Sequence, residues 1–435
     1  MKVASLTAAA CKCTVMHGGQ ERAPGPWPSE GISAGRTLRA PRVPGHNAAV
    51  LDRVLILSAS AGAGHVRAAE ALERAFTGLG AAPEVRHVDT LRFTNKVFRA
   101  LYSRAYLELV DHAPDVLGWL YDYLDTPWQK ERRRLAWNKL NTRPFVRMLE
   151  KYRPDLVLCT HFLPAEIISW LKAKERLGCP QAIAVTDFDV HAMWLCHHFE
   201  HYFVAIDETR EHLLRLGIPA DKVTVSGIPI DPVFAQHKDR GAMCEKHGLR
   251  QDRTIVLMSA GGFGVGPVEH AVTTLLALRH PAHIVVVCGR NEELRQRVQA
   301  LVATSETGNL LTAVGYTTEM DEYMSAADIL VGKPGGLTTS EALAKRLALV
   351  IVNPIPGQEE RNSDHLLEQG AAIRCNNLPV LGYKIDRLLD DPARLAAMRE
   401  RAGRLARPHA ACDVVRKAVT LAAPPLSRTT AGRSA

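Results

Sequence analysis

The sequence has no apolar run near the 18 residues that a membrane-crossing helix needs, although its hydrophobic content is 46%. Any membrane contact is therefore expected to be peripheral. The nine cysteines, Cys11, Cys13, Cys159, Cys179, Cys196, Cys244, Cys288, Cys375 and Cys412, show no zinc spacing. Their odd total argues against a disulfide framework, and a reducing cytoplasm is expected. The N-terminus has a single lysine and an apolar stretch broken by Cys11-Lys12-Cys13, which makes a poor export signal. Residues 1–50 are rich in Gly, Pro, Ala and Arg without periodicity and are expected to be a disordered leader; 424–435 read as a disordered tail. The charge is not balanced: 54 Lys and Arg stand against 46 Asp and Glu, a formal +8. That surplus favours an anionic partner, acidic lipid or nucleic acid, without choosing between them.

At 435 residues the chain exceeds one core, so two domains are expected. The most informative stretch runs from Val331 to Asn362, VGKPGGLTTSEALAKRLALVIVNPIPGQEERN, which reads as strand, glycine turn, helix, second strand and acidic loop. The turn Gly332 to Gly336 breaks a buried strand and starts a helix, with Thr338 or Thr339 available as its cap. Such a turn brings backbone N–H groups and a helix N-terminus to an anion; it is also what an ordinary strand-to-helix turn looks like. Glu341 in the first turn suits ribose hydroxyls. The cluster Gln358, Glu359, Glu360, Arg361, Asn362 beyond Val350-Ile351-Val352 suits sugar hydroxyls at a strand's carboxyl end.

The same unit opens each half. Arg53 to Leu57 is a buried strand leading into Ala61-Gly62-Ala63-Gly64-His65 and a helix from Val66; Thr254 to Ser259 leads into Gly261-Gly262-Phe263-Gly264. A histidine at a helix N-terminus, kept neutral by the dipole, suits a general base for an alcohol, and equally a helix cap. Between the halves, Gly227 to Phe234 carries two prolines and reads as a hinge. From 91 to 149 the pattern becomes basic, aromatic and helical, with Phe93, Phe98, Trp119, Tyr123 and Trp128 among Arg92, Arg99 and Arg132-Arg133-Arg134. That suits an anionic bilayer surface; it also suits an insertion with its own core or stacked single-stranded RNA, for which no fold signature is present. The group Asp187, Asp189 and His191 falls at a strand end, where alternation separates side chains, so no metal site is expected.

These paired motifs resemble the GT-B glycosyltransferases that include monogalactosyldiacylglycerol synthases and bacterial diacylglycerol glucosyltransferases, with the lipid II N-acetylglucosaminyltransferase as a more distant relative. The resemblance covers roughly Arg53 to Leu405. It implies an α/β chain of two Rossmann-like domains facing an interdomain cleft, an acceptor and membrane-docking domain at 51–235 and a UDP-sugar domain at 236–423. It implies inverting transfer of a hexose from a UDP-sugar to diacylglycerol with no metal or other cofactor and no nucleic acid, by a cytoplasmic protein peripheral on the inner face of the cell membrane. His65 would be the base. Gly64, Gly261, Gly262, Gly264, Gly315, Tyr316, Pro334, Gly335, Gly336, Thr338, Glu341, Gln358, Glu359, Glu360 and Asn362 would hold the donor, with Asp187 and His191 on the acceptor side. Where relatives carry a run of glycines this chain has Ala61 and Ala63, and Asp231 replaces a basic residue, so a phosphate contact there is not implied. A lipid II-type acceptor, UDP-sugar epimerisation and non-catalytic UDP-sugar binding remain open alternatives.

Overall fold

The computed structural model describes residues 51–95, 98–99, 113–129, 131–261, 267–301 and 308–422. The expectations for 1–50, the tail, Gly262, Gly264 and residues 96–97, 100–112 and 130 of the 91–149 tract lie outside them.

Among the described residues, twelve strands form two six-stranded, wholly parallel sheets. The first contains β1 (Arg53–Ser58), β2 (Glu84–Asp89), β3 (Leu156–Cys159), β4 (Gln181–Ala184), β5 (His201–Val204) and β6 (Val223–Val225), in the order β2-β1-β3-β4-β5-β6. The second contains β7 (Thr254–Ser259), β8 (Ala282–Val287), β9 (Leu310–Val314), β10 (Ile329–Gly332), β11 (Ala348–Val352) and β12 (Ala372–Cys375), ordered β12-β11-β10-β7-β8-β9. The strands β1, β8 and β11 are mostly apolar and buried along nearly their whole length because helices cover both faces, as a parallel sheet requires. Each sheet reverses its direction of growth once, between β1 and β3 and between β10 and β7. Those reversals leave crevices at the strands' carboxyl ends, where open α/β sheets bind ligands.

Five helices position the site: α1 (Ala63–Leu79), α2 (Pro114–Leu124), α3 (Gly336–Ala344), α4 (Gln358–Glu368) and α5 (Ala410–Ala422). Helix α5 corrects the expected 236–423 domain. Its apolar stripe Ala411, Val414, Val415 and Ala418 is buried with Val54, Ile56, Leu72 and Phe76, so it completes the core of the first sheet. The chain thus crosses between the halves twice, and the crossings touch. Gly227 (φ +84°) on the outgoing segment past β6 lies so close to Arg407 on the return that a Cβ there would sit 2.4 Å from the Arg407 Cβ. A continuous buried cluster, with Phe188, Ile228 and Ile230 from one half and Leu337, Ala342 and Leu366 from the other, joins the two.

Two local expectations are overturned. The cap of α3 is Gly335, in extended backbone, and Thr338 and Thr339 lie inside the helix. The acidic loop at 358–362 is the first turn of α4: Gly357 adopts φ +86°, and the Glu360 carboxylate accepts its N–H at 3.2 Å, ending the turn and starting the helix.

Candidate functional site

In the first crevice, His65 stands in the first turn of α1, following β1. Thr160, just past β3, grips it at two points. The Thr160 carbonyl accepts from the His65 Nδ1 at 2.9 Å, while the Thr160 hydroxyl donates to the His65 carbonyl at 2.8 Å. Thr186, past β4, brings its hydroxyl to the same Nδ1 at 2.9 Å. A proton on Nδ1 leaves the Nε2 lone pair free, the tautomer a general base needs. Burial holds the ring's pKa down from 6.5 to about 4, against the Thr160 bond that raises it, so the ring is neutral at physiological pH. His161 packs edge-on at 4.5 Å and is itself held neutral by burial.

Thr186 also faces the second half. A Cβ on Gly336 would lie 2.1 Å from the Thr186 carbonyl oxygen, so only glycine allows the start of α3 this close to the segment carrying His65. The neighbouring residues fasten the approach. Asn362 accepts from the Phe188 N–H at 2.9 Å and donates to the Pro334 carbonyl at 3.0 Å, and Gln358 donates to Asp187. Burial raises the Asp187 carboxyl to about 6 despite those amide bonds. Beyond them, Arg67 of α1 pairs with the buried Glu341, whose Oε2 has no partner. The Tyr316 ring is exposed and lies under Arg290, with the guanidinium 5.0 Å from its centroid.

The second crevice, between β7 and β10, is a cavity of about 500 Å³. Gly261, Gly335, Thr338 and Glu359 line it, together with Ser259, Lys333 and Asn353. Glu359 accepts from the Ile355 N–H at 2.7 Å; burial raises its carboxyl to about 7, with Lys333 acting against that. Lys333, the glycine N–H groups and the α3 terminus give this wall a positive character. Pro354, Ile355 and Pro356 form the rim, and Asp115 of α2 lines it from the first half.

The chain also matches known families. A model described as monogalactosyldiacylglycerol (MGDG) synthase matches residues 65–230, and one described as glycosyl transferases group 1 matches 239–405. A processive diacylglycerol beta-glucosyltransferase of Bacillus cereus (strain G9842) is 30% identical over 355 residues, 80% of this chain and 88% of the relative. The protein of the same name from Bacillus thuringiensis (strain Al Hakam) is 30% identical over 366 residues, 83% of this chain and 92% of that one. The chain belongs to the diacylglycerol glycosyltransferase family. Among solved structures, MurG of Acinetobacter baumannii aligns at TM-score 0.55 and 17% identity over 85% of this chain and 99% of that one. MnaA of S. aureus, solved with UDP, aligns at 0.56 and 12% over 85% and 98%. At those identities the likeness shows the fold, which is GT-B.

Within this family member the expected site residues do not all converge. His65, Gly64 and Gly336 share one junction, with Gly64 and Leu337 in contact (3.6 Å from a Gly64 Cβ). Two expectations need correction. His191 is buried, its Nε2 donating to the Tyr121 carbonyl at 2.9 Å and its Nδ1 accepting from the Met193 N–H, so neither nitrogen is open to an acceptor. Glu360 is turned to its own helix end and to Arg374 at 3.6 Å, away from the cavity. Glu341 faces Arg67, with its second oxygen without a partner. The motif reading missed Thr160, Thr186, Arg67 and Lys333. Lys333 alone had a visible signal, a cation beside the glycine turn.

Proposed function

We propose that the protein is an inverting glycosyltransferase that moves a hexose from a UDP-sugar to the free hydroxyl of diacylglycerol. The observation that carries this reading is the Thr186 junction, which sets a tautomer-fixed neutral histidine beside the glycine-capped terminus of α3. His65 Nε2 takes the proton of the lipid hydroxyl as its oxygen attacks the anomeric carbon. The bond from that carbon to the β-phosphate oxygen breaks on the opposite face, the sugar inverts, and UDP leaves. A base of pKa about 4 is weak in the free protein; the anionic diphosphate, once bound across the junction, raises it by Coulomb attraction. Negative charge growing on UDP meets the N–H groups at Gly335 and Gly336 and the Lys333 ammonium, which take the part a metal ion plays elsewhere. Glu341 and Thr338 face the nucleoside side and Glu359 the sugar, while the buried Asn362, spent on Phe188 and Pro334, holds the two halves in register.

The lipid is taken from an anionic membrane surface on the cytoplasmic side. Val116, Trp119 and Tyr123 on α2, and Trp137 and Leu140 on the helix Glu131–Asn141, are exposed, with Lys139, Arg143 and Arg147 nearby. Among the described residues no helix is long and apolar enough to cross a membrane. The test is turnover with a panel of UDP-sugars on diacylglycerol in mixed vesicles, with and without a chelator. Lipid glycoside from one donor, unaffected by chelation, supports the reading; UDP-sugar binding without product from any donor refutes it.

A further inference from the structure

Arg361 has no part in the chemistry just described, yet it carries several polar contacts between the halves. It projects from the first turn of α4 toward α2. Its Nη2 lies 2.8 Å from Asp125 and 3.7 Å from Asp122, and its Nη1 lies 2.8 Å from Asp189. The guanidinium also sits 5.2 Å from the Tyr121 ring centroid, within cation–π range. Asp125 in turn accepts from the Ala192 N–H at 2.8 Å, so the pairing ties α2, the 187–192 segment and α4 together.

The backbone under this contact is shaped for it. A Cβ on Gly118 of α2 would lie 2.9 Å from the Pro356 Cβ, and one on Gly357 would lie 2.6 Å from Tyr121 Cδ1. Two glycines thus let α2 rest directly on the loop that rims the donor cavity, and Asp115 at its start lines that cavity. Its opposite face exposes Trp119 and Tyr123, stacked at 5.4 Å.

We propose that Arg361 is a positioning residue: it fastens α2 across the rim of the donor cavity and so sets how completely a bound UDP-sugar is shielded from water. This rests on the glycosyl-transfer reading for its catalytic consequence. With α2 loosened, water replaces the lipid hydroxyl at the anomeric carbon, giving UDP and free hexose with release of one proton.

Two variants attack the contact independently. Arg361→Gln removes the cation, and Gly118→Ala pushes α2 from Pro356 while favouring its helix. Arg361→Lys keeps the charge but not the fork that spans Asp125 and Asp189. UDP dissociation from each protein is followed by stopped-flow fluorescence, and free hexose and lipid glycoside are quantified side by side. Arg361→Gln and Gly118→Ala are each expected to speed UDP release by about tenfold and to raise the ratio of hydrolysis to transfer, with Arg361→Lys intermediate. UDP release unchanged in both variants, or transfer and hydrolysis falling in equal proportion, overturns the proposal. If the unaltered protein binds UDP but glycosylates no lipid, the functional reading fails while UDP release still decides the latch. If it binds no UDP, both fail.

Discussion

Replacing Gly336 by alanine tests the junction between the halves with a single carbon. The new Cβ would lie 2.1 Å from the Thr186 carbonyl oxygen and 3.0 Å from Ile228 Cδ1. Carbon and oxygen tolerate about 3.3 Å, so α3 and the 186 segment must separate by about 1 Å. Neither side yields cheaply: Thr186 is buried and bonded to His65, and Phe188 is bonded to Asn362. Overpacking of this kind costs about 1–3 kcal/mol of stability. A displacement of about 1 Å between base and donor costs roughly 100-fold in rate. The assay is lipid glycoside formation at saturating UDP-sugar, with urea unfolding in parallel. Gly78→Ala on the exposed end of α1, with nothing within 4 Å, is the control and should gain stability. A Gly336→Ala protein with activity and urea midpoint like the wild type would refute the contact and the mechanism built on it.

Gly227→Ala combines a left-handed backbone, φ +84°, with a Cβ 2.4 Å from the Arg407 Cβ. It should lose at least about 2 kcal/mol in urea unfolding. For pH, the sign differs between groups. His65 and His201 titrate at about 4 in the fold and 6.5 when unfolded, so their contribution is complete above 6.5 and declines as pH falls, by about 2 kcal/mol apiece at pH 5. Asp187 and Glu359, raised to about 6 and about 7, act oppositely and add stability as pH falls. Glu359→Gln, lacking the larger of these offsets, should therefore lose about 2 kcal/mol more than the unaltered protein between pH 7.5 and 5 in urea titrations. Trp119→Ser with Tyr123→Ser should weaken flotation with anionic vesicles while leaving UDP binding intact; undiminished flotation would count against the membrane face.

The two sheets were legible because buried parallel strands are unbroken apolar runs and each crevice begins with glycine. The cores of β1, β7, β10 and β11 could be read without any partner in view. What could not be read was pairing across distance. Arg67 and Glu341 are 274 positions apart, and Arg361 meets Asp189 over 172, so no local spacing announces either contact. The apolar stripe of α5 says helix but not which sheet it covers, and so that helix was misassigned to the nearer domain. Glu360 was misread for a related reason. A carboxylate three residues after Gly357 is a capping group before it is a sugar ligand, and the turn chemistry outranked the motif.

His65→Ala, measured for lipid glycoside formation and for UDP binding together, tests the central claim most directly. Removing a general base should lower transfer by about 100-fold or more while UDP binds as before. Transfer undiminished in that variant would remove His65 from the mechanism.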